Sequence, residues 1–240
     1  MKIDVILLPR DMKPETTRDR QVVVFDVLRA SSTITTAMAN GATQIHFFSS
    51  ADEALAARGH YPDALLCGEK GCLKVPGFDL GNSPLEFTPQ RVSGRMILMA
   101  TTNGTKAIHA ARGCIRLFAG SLLNARATAE ALLEDPRDVV LLCAGTDGEP
   151  SLEDILGAGA VIHESHIPVT ASIATTDLAM AAELVFRQAA ANLNANLQNA
   201  QGARNLIAAG LADDIRHCSR FNALPTAVRI DSHRLCTTIV

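Results

Sequence analysis

The chain has 240 residues, 48% hydrophobic and 20% charged, which suits one large globular domain with a substantial core. Its formal net charge of −3, with one Tyr, eight Phe and no Trp, excludes any overall attraction to nucleic acid or anionic membrane and offers no aromatic platform for stacked bases. An anionic ligand must be held by a local cluster instead.

The first segment, Ile3 to Leu8, is strand-like, too short for the apolar core of a signal peptide and without a small-residue cleavage site. No apolar run approaches about 18 residues. A cytoplasmic protein with no membrane span is expected. The six cysteines fall mostly in apolar strand-like runs, which suits buried reduced thiols better than a disulfide framework.

Val22 to Val27 carries an unbroken apolar row that predicts a strand buried on both faces. It delivers Asp26, with Arg29 three residues later, to the carboxyl end of a central strand. Ala30 to Asn40, rich in Ser and Thr, predicts a helix entered through a capping hydroxyl. Further strands are expected at Gln44 to Phe48, Ala64 to Cys67, Arg95 to Ala100, Cys114 to Ala119 and Val139 to Ala144. Helical periodicity occupies Ser32 to Asn40, Ala51 to Arg58, Lys106 to Arg112 and Asn124 to Leu133, the second opened by a capping box from Ser50 to Glu53. This alternation predicts an α/β fold, a three-layer α/β/α sandwich around a largely parallel or mixed sheet.

Beyond Gly145 the pattern turns alanine-rich and helical, over Ser151 to Ser165 and Thr176 to Ile215. Thr226 to Val240 holds two short β-like runs, expected to add strands at one edge. No linker divides the chain, so residues 1–240 are read as a single domain. The helices from Ala179 to Ala200 would serve a homodimer face as well as packing onto the sheet.

Four loops follow strands and could carry chemistry, since ligands of open α/β sheets bind at the carboxyl ends of strands. The first holds Asp26 and Arg29. The second, Gly68 to Pro84, combines four glycines with Glu69, Asp79, Lys70, Lys74, Asn82 and Ser83; a structural loop shares this composition, but its length favours a site. The third, Thr101 to Lys106, reads equally as an anion cradle or an ordinary helix cap. The fourth, Gly145 to Asp154, packs carboxylates that repel one another unless solvated or neutralised, and Mg²⁺ takes such oxygen ligands. Asp147, Glu149 and Glu153 are read as a solvated helix start, and Asp154, one turn in and followed by Ile155-Leu156, as functional.

Other patterns carry less. His163 and His166 lie one turn apart without a third ligand in view, and are read as surface or cap residues. Gly157-Ala158-Gly159 is read as close helix packing rather than a dinucleotide fingerprint. No P-loop occurs, no cysteine is followed six residues later by arginine, and Leu28 stands where a paired-aspartate phosphatase would have its second acid.

Taken together, FDVLRASSTI, GEKGCLKVPGFDLGNSPLEF, TTNGTKAI, AGTDGEPSLEDILGAGAVI and GARNLIAAGLADDIRHCSRFNALP resemble the 2-phosphosulfolactate phosphatase family, known as ComB, over nearly the whole chain. Cys72 and the Asp147-Gly148-Glu149-Pro150 turn depart from the pattern. The resemblance implies an α/β, Mg²⁺-dependent phosphohydrolase that converts (2R)-2-phospho-3-sulfolactate to sulfolactate and phosphate, in methanogens a step of coenzyme M biosynthesis. Matching positions are Asp26, Arg29, Ser31 and Ser32; Gly68, Glu69, Asn82 and Ser83; Thr101, Thr102, Asn103 and Gly104; and Asp154.

With that substrate, Arg29 becomes the bidentate partner for phosphate or sulfonate. Asp26, Glu69 and Asp154 become candidate Mg²⁺ ligands, direct or through water, beside a phosphoryl group whose charge the ion would neutralise. Thr101 to Gly104 would orient the acid groups, and Lys106 would add charge. Metal-activated water and the Asp26 carboxylate both stand as attackers, with water favoured because position 28 is Leu. Two alternatives accompany this reading: a phosphatase for other 2-hydroxy-acid phosphates, and a non-catalytic anion-binding protein of the same fold.

Overall fold

A computed structural model describes residues 1–165 and 173–238. In chain order the elements are β1 (Lys2–Ile6), α1 (Pro14–Thr17), β2 (Gln21–Phe25), α2 (Ala30–Ala39), β3 (Gln44–Phe47), α3 (Ala51–Ala57), β4 (Leu65–Lys70), β5 (Leu73–Lys74), α4 (Pro89–Val92), β6 (Met96–Ala100), α5 (Gly104–Ala110), β7 (Arg116–Gly120), α6 (Ala125–Leu133) and β8 (Val139–Cys143). There follow α7 (Leu152–Ser165), β9 (Ala174–Thr175), α8 (Asp177–Ala189), α9 (Leu193–Gln198), α10 (Gln201–Ala208), α11 (Ala212–Cys218), β10 (Val228–Asp231) and β11 (Cys236–Thr238). The seven strands expected as far as Ala144 all form. The helical stretch after Thr176 is divided into four α-helices, α8 to α11.

The strands join in one mixed sheet, ordered β5-β4-β6-β3-β11-β10-β7-β2-β8-β1-β9. Every residue of β2 is buried, and its alternating side chains feed two cores. Val23 and Phe25 face α6, α7 and α8, whereas Val22 and Val24 face α2 and α5. On β6 the same alternation sends Ile97 and Met99 to the α2 and α5 side and Leu98 towards Ala54 of α3. Helices thus cover both faces of the sheet. A strand buried on both sides needs this continuous Val/Phe row, because period-two polar positions would meet apolar helices.

The C-terminal hairpin corrects the expectation of an added edge. β10 pairs antiparallel with β7, and β11 antiparallel with β3, so the hairpin lies inside the sheet and joins two halves. Three antiparallel pairings in succession make β3, β4 and β6 run opposite to β2, β7 and β8. The carboxyl ends of the two halves nevertheless meet, as the contacts below show. Twist accumulates at roughly 20° or more per strand, and over five steps it turns oppositely running strands towards each other.

Two glycines in α7 let it sit close to its neighbours. A Cβ on Gly157 would stand 2.8 Å from Phe25 and Val27, and one on Gly159 would overlap the Ala182 carbonyl of α8. The Gly-Ala-Gly run is helix packing, as its position after a helical start implied. At α3 the Ser50 hydroxyl accepts the Glu53 N–H, but the Glu53 carboxylate bonds the Ser49 N–H and hydroxyl instead of closing the box on Ser50. All six cysteines are free. No helix among the described residues is long and apolar enough to cross a membrane.

Candidate active site

Asp26 follows the last residue of β2, where the chain turns into α2. Its Oδ1 accepts the Ala30 N–H at 3.1 Å and its carbonyl accepts the Ser31 N–H at 2.8 Å. The helix start is therefore capped by a carboxylate and not by a hydroxyl. The Ser31 hydroxyl accepts the Asp26 N–H, and the Ser32 hydroxyl donates to the Val27 carbonyl. Both serines, expected to touch substrate, are buried and turned to this backbone. They shape the turn that presents Asp26.

Asp26 Oδ2 accepts no hydrogen bond among the described residues. Burial, then the nearby Asp154 carboxylate, push the Asp26 carboxyl up to about 7, against the opposing pull of the Ala30 N–H. Gly104, at the start of α5, lies directly against this oxygen: a Cβ there would stand 2.9 Å from Oδ2 and 2.5 Å from the Ala30 Cβ.

Asp154 departs from its expected role. Its Oδ1 accepts the Val27 N–H at 2.9 Å and its Oδ2 the Gly145 N–H at 3.0 Å, so it ties the ends of β2 and β8 together. It is buried behind the cleft and is not among the residues that line it. Burial and the Glu153 carboxylate raise it to about 7. Glu153, expected in solvent, is itself 1% exposed, packed beneath Gly202, and its Oε2 has no partner among the described residues. Burial again raises its carboxyl.

Arg29 is held from two sides. Nη1 donates to Asp214 Oδ2 of α11 at 2.7 Å, and Nη2 to the Cys72 carbonyl at 2.6 Å. The other Asp214 oxygen accepts the Ser83 hydroxyl at 2.5 Å. Next to Ser83, the Asn82 carbonyl takes the Thr33 hydroxyl, while Asn82 Oδ1 is buried without a partner among the described residues. Glu69 at the end of β4 accepts the Thr102 N–H at 2.7 Å and the Cys72 N–H at 3.1 Å. This carboxylate locks the β4–β5 turn to the loop after β6.

A small cleft forms where these loops meet. Asp26, Arg29, Glu69, Asn82, Thr102 and Asn103 line it, joined by Cys72, Asp147, Gly202 and Asn205. Besides Ser31, Ser32 and Asp154, five of the expected residues stand outside the lining. Gly68 is buried where a Cβ would overlap the Ala100 carbonyl, and the Thr101 hydroxyl accepts the Thr105 N–H. Ser83 is turned to Asp214, and Lys106 is exposed on α5 beyond the cleft. Gly104 contributes by its bareness against Asp26.

The expected ligand triad is not assembled: no group of three His, Cys, Asp or Glu among the described residues is arranged to hold a metal ion. What the cleft offers a hard cation is an oxygen set, the Asp26 and Glu69 carboxylates with the orphaned Asn82 Oδ1. Mg²⁺ keeps several waters and takes one or two carboxylates, so this set fits it without Asp154. His163 pairs with Glu183 at 3.7 Å, away from the cleft, and His166 lies outside the described residues.

Sequence reasoning missed Asp214, Gly202 and Asn205, all in the C-terminal helices. Asp214 sits in the first turn of α11, where an acid is equally expected for the helix dipole alone.

Comparison with known proteins covers nearly the whole chain. Residues 6–232 match the model of the family described as 2-phosphosulpholactate phosphatase. A protein of Carboxydothermus hydrogenoformans named a probable 2-phosphosulfolactate phosphatase is 43% identical over 225 residues, 93% of this chain and 91% of that one. Proteins with the same name from Symbiobacterium thermophilum and Clostridium acetobutylicum are 41% and 36% identical, covering 85% and 92% of this chain and 88% and 93% of their own.

Proposed function

The chain belongs to the 2-phosphosulpholactate phosphatase family, and we propose that it hydrolyses the phosphate monoester of 2-phosphosulfolactate to sulfolactate and inorganic phosphate with Mg²⁺ in the cleft. The observation that carries the metal is the charge of the lining. Asp26, Glu69 and Asp147 face one guanidinium, Arg29, which is already paired with Asp214. An ester bearing phosphate, carboxylate and sulfonate is repelled from such a surface unless a cation enters with it.

Asp26 and Glu69 would hold the ion, with Asn82 Oδ1 as a neutral oxygen beside them. Bound there, Mg²⁺ would neutralise charge on the phosphoryl group. Arg29 presents its remaining N–H donors to the ester, the fork geometry that suits phosphate or sulfonate. Asn103 and the Thr102 hydroxyl would supply neutral donors from the loop after β6. The bare Cα of Gly104 lets Asp26 keep its place against the start of α5.

Water is the attacker in this account. Its oxygen forms the new P–O bond, the bond from phosphorus to the substrate C2 oxygen breaks, and the proton lost by water ends on that oxygen. Asp26, whose Oδ2 accepts no hydrogen bond among the described residues, would take that proton from water and pass it to the leaving oxygen. The reaction is the coenzyme M biosynthesis-type step that the family resemblance implies.

The test is phosphate release from 2-phosphosulfolactate, phospholactate and phosphoglycolate, with Mg²⁺ and with EDTA. Turnover of the first, abolished by EDTA, is expected. Turnover of the other two alone would move the substrate to other 2-hydroxy-acid phosphates, and none on any would leave an anion-binding protein.

A further inference from the structure

We infer that Asp214 is a positioning residue of this site, acting through Arg29. The inference rests on the phosphatase reading above. Asp214 does not itself line the cleft; its carboxylate reaches the site through Arg29, which does. It is 1% exposed, Arg29 is 3% exposed, and their ion pair spans 2.7 Å. A guanidinium so far from water would turn to whichever acceptor it could find. Here Asp214 from α11 fixes Nη1 and the Cys72 carbonyl fixes Nη2. Two anchors on different elements define the plane of the fork, and a bidentate donor is useful only when that plane is fixed.

The second oxygen of Asp214 extends the same control. It accepts the Ser83 hydroxyl, so one carboxylate sets both Arg29 and the loop that carries Asn82 with its unpartnered Oδ1. The pairing has an electrostatic effect as well. Asp214 cancels the Arg29 charge, which leaves Arg29 a directed hydrogen-bond donor and the cleft net negative. An ordinary structural ion pair would merely dock α11, with no consequence specific to Arg29.

A double-mutant cycle separates the two. Wild type, D214N, R29K and the D214N/R29K double variant would be assayed on 2-phosphosulfolactate with Mg²⁺, with thermal unfolding measured on each. D214N is expected to lower kcat/KM by roughly 10-fold or more in the wild-type background and by less than about 3-fold in R29K, where the fork is already gone. Equal losses in both backgrounds, or no loss, would overturn the inference. If D214N does not fold, S83A carries the test, since it keeps the ion pair and removes one bond that orients the carboxylate. A raised KM with unchanged unfolding supports the inference, and an unchanged KM overturns it. Wild type that releases no phosphate would instead defeat the phosphatase reading itself.

Discussion

Gly104 and Asp26 touch across the two halves of the sheet, the bare Cα of one facing Oδ2 of the other. Gly104 opens α5 after β6, Asp26 follows β2, and the strands before them run in opposite senses. A methyl group at position 104 would meet the Ala30 Cβ at 2.5 Å and Oδ2 at 2.9 Å, so either the carboxylate or the start of α5 must move. Gly104→Ala is expected to cost ~1 to 3 kcal/mol of stability through overpacking. Displacing Asp26 by an ångström is expected to reduce kcat on the order of 100-fold. Calorimetric unfolding and steady-state kinetics check the two values separately.

The buried acids make the metal-free protein pH-sensitive. Asp26 and Asp154 are both raised from an ordinary carboxylate value to about 7, so between about 4 and 7 the folded state holds protons that the unfolded chain has released. Stability is therefore fully present below about 4 and lost as pH rises through about 7. The two carboxyls share this change, since part of the Asp26 shift is the Asp154 charge itself. Thermal midpoints in EDTA are expected to fall from pH 5 to pH 8, and Mg²⁺ to recover most of the loss. Asp26→Asn is expected to unfold at a higher temperature than wild type at pH 8 in EDTA while losing activity by at least about 1000-fold, a trade of stability for function.

Asp154 and Asp26 are expected to respond differently. Removing the Asp154 carboxylate strands the Val27 and Gly145 N–H groups, so Asp154→Ala is expected to cost ~2 to 4 kcal/mol of stability. Its folded fraction at low temperature should still bind Mg²⁺ within about threefold of wild type, whereas Asp26→Asn and Glu69→Gln should weaken binding by about tenfold or more. Titration calorimetry on the folded variants is the check. Loss of Mg²⁺ binding in Asp154→Ala at a temperature where it is fully folded would return Asp154 to the ligand set.

Much of the fold was legible because its signals are local. The Val22 to Phe25 row, fully buried on both faces, could hardly be anything but a central strand, and each loop after a strand was visible from its glycines and hydroxyls. The hairpin of β10 and β11 was not, since two short strands carry no local mark of the partners, β7 and β3, between which they insert. The same limit governs the site. Asp26, Arg29 and Glu69 stand out because each ends an apolar run, but hydroxyls at Ser31, Ser32 and Thr101 look alike whether they face a ligand or the backbone. Glu153 looked like a solvated helix start because its burial depends on Gly202, nearly fifty residues away in sequence. Asp214 is hidden for the same reason, since its partner Arg29 is 185 positions away.

The choice of water over Asp26 as the attacker has an isotopic signature. In a single turnover in ¹⁸O-water with enzyme in excess, the label is expected in the released phosphate and absent from the Asp26 carboxylate. Label in Asp26 after turnover would show that its carboxylate had carried the phosphoryl group.

Three lining acids, Asp26, Glu69 and Asp147, against one guanidinium paired with Asp214 disfavour a polyanion that enters the cleft without a cation. Equilibrium binding of sulfolactate and inorganic phosphate to wild-type protein, measured by titration calorimetry with saturating Mg²⁺ and again in EDTA, tests it directly. The account expects affinity to fall by about 100-fold or more when the metal is removed, the loss of roughly 3 kcal/mol of charge compensation. Equal affinity in Mg²⁺ and in EDTA would contradict it.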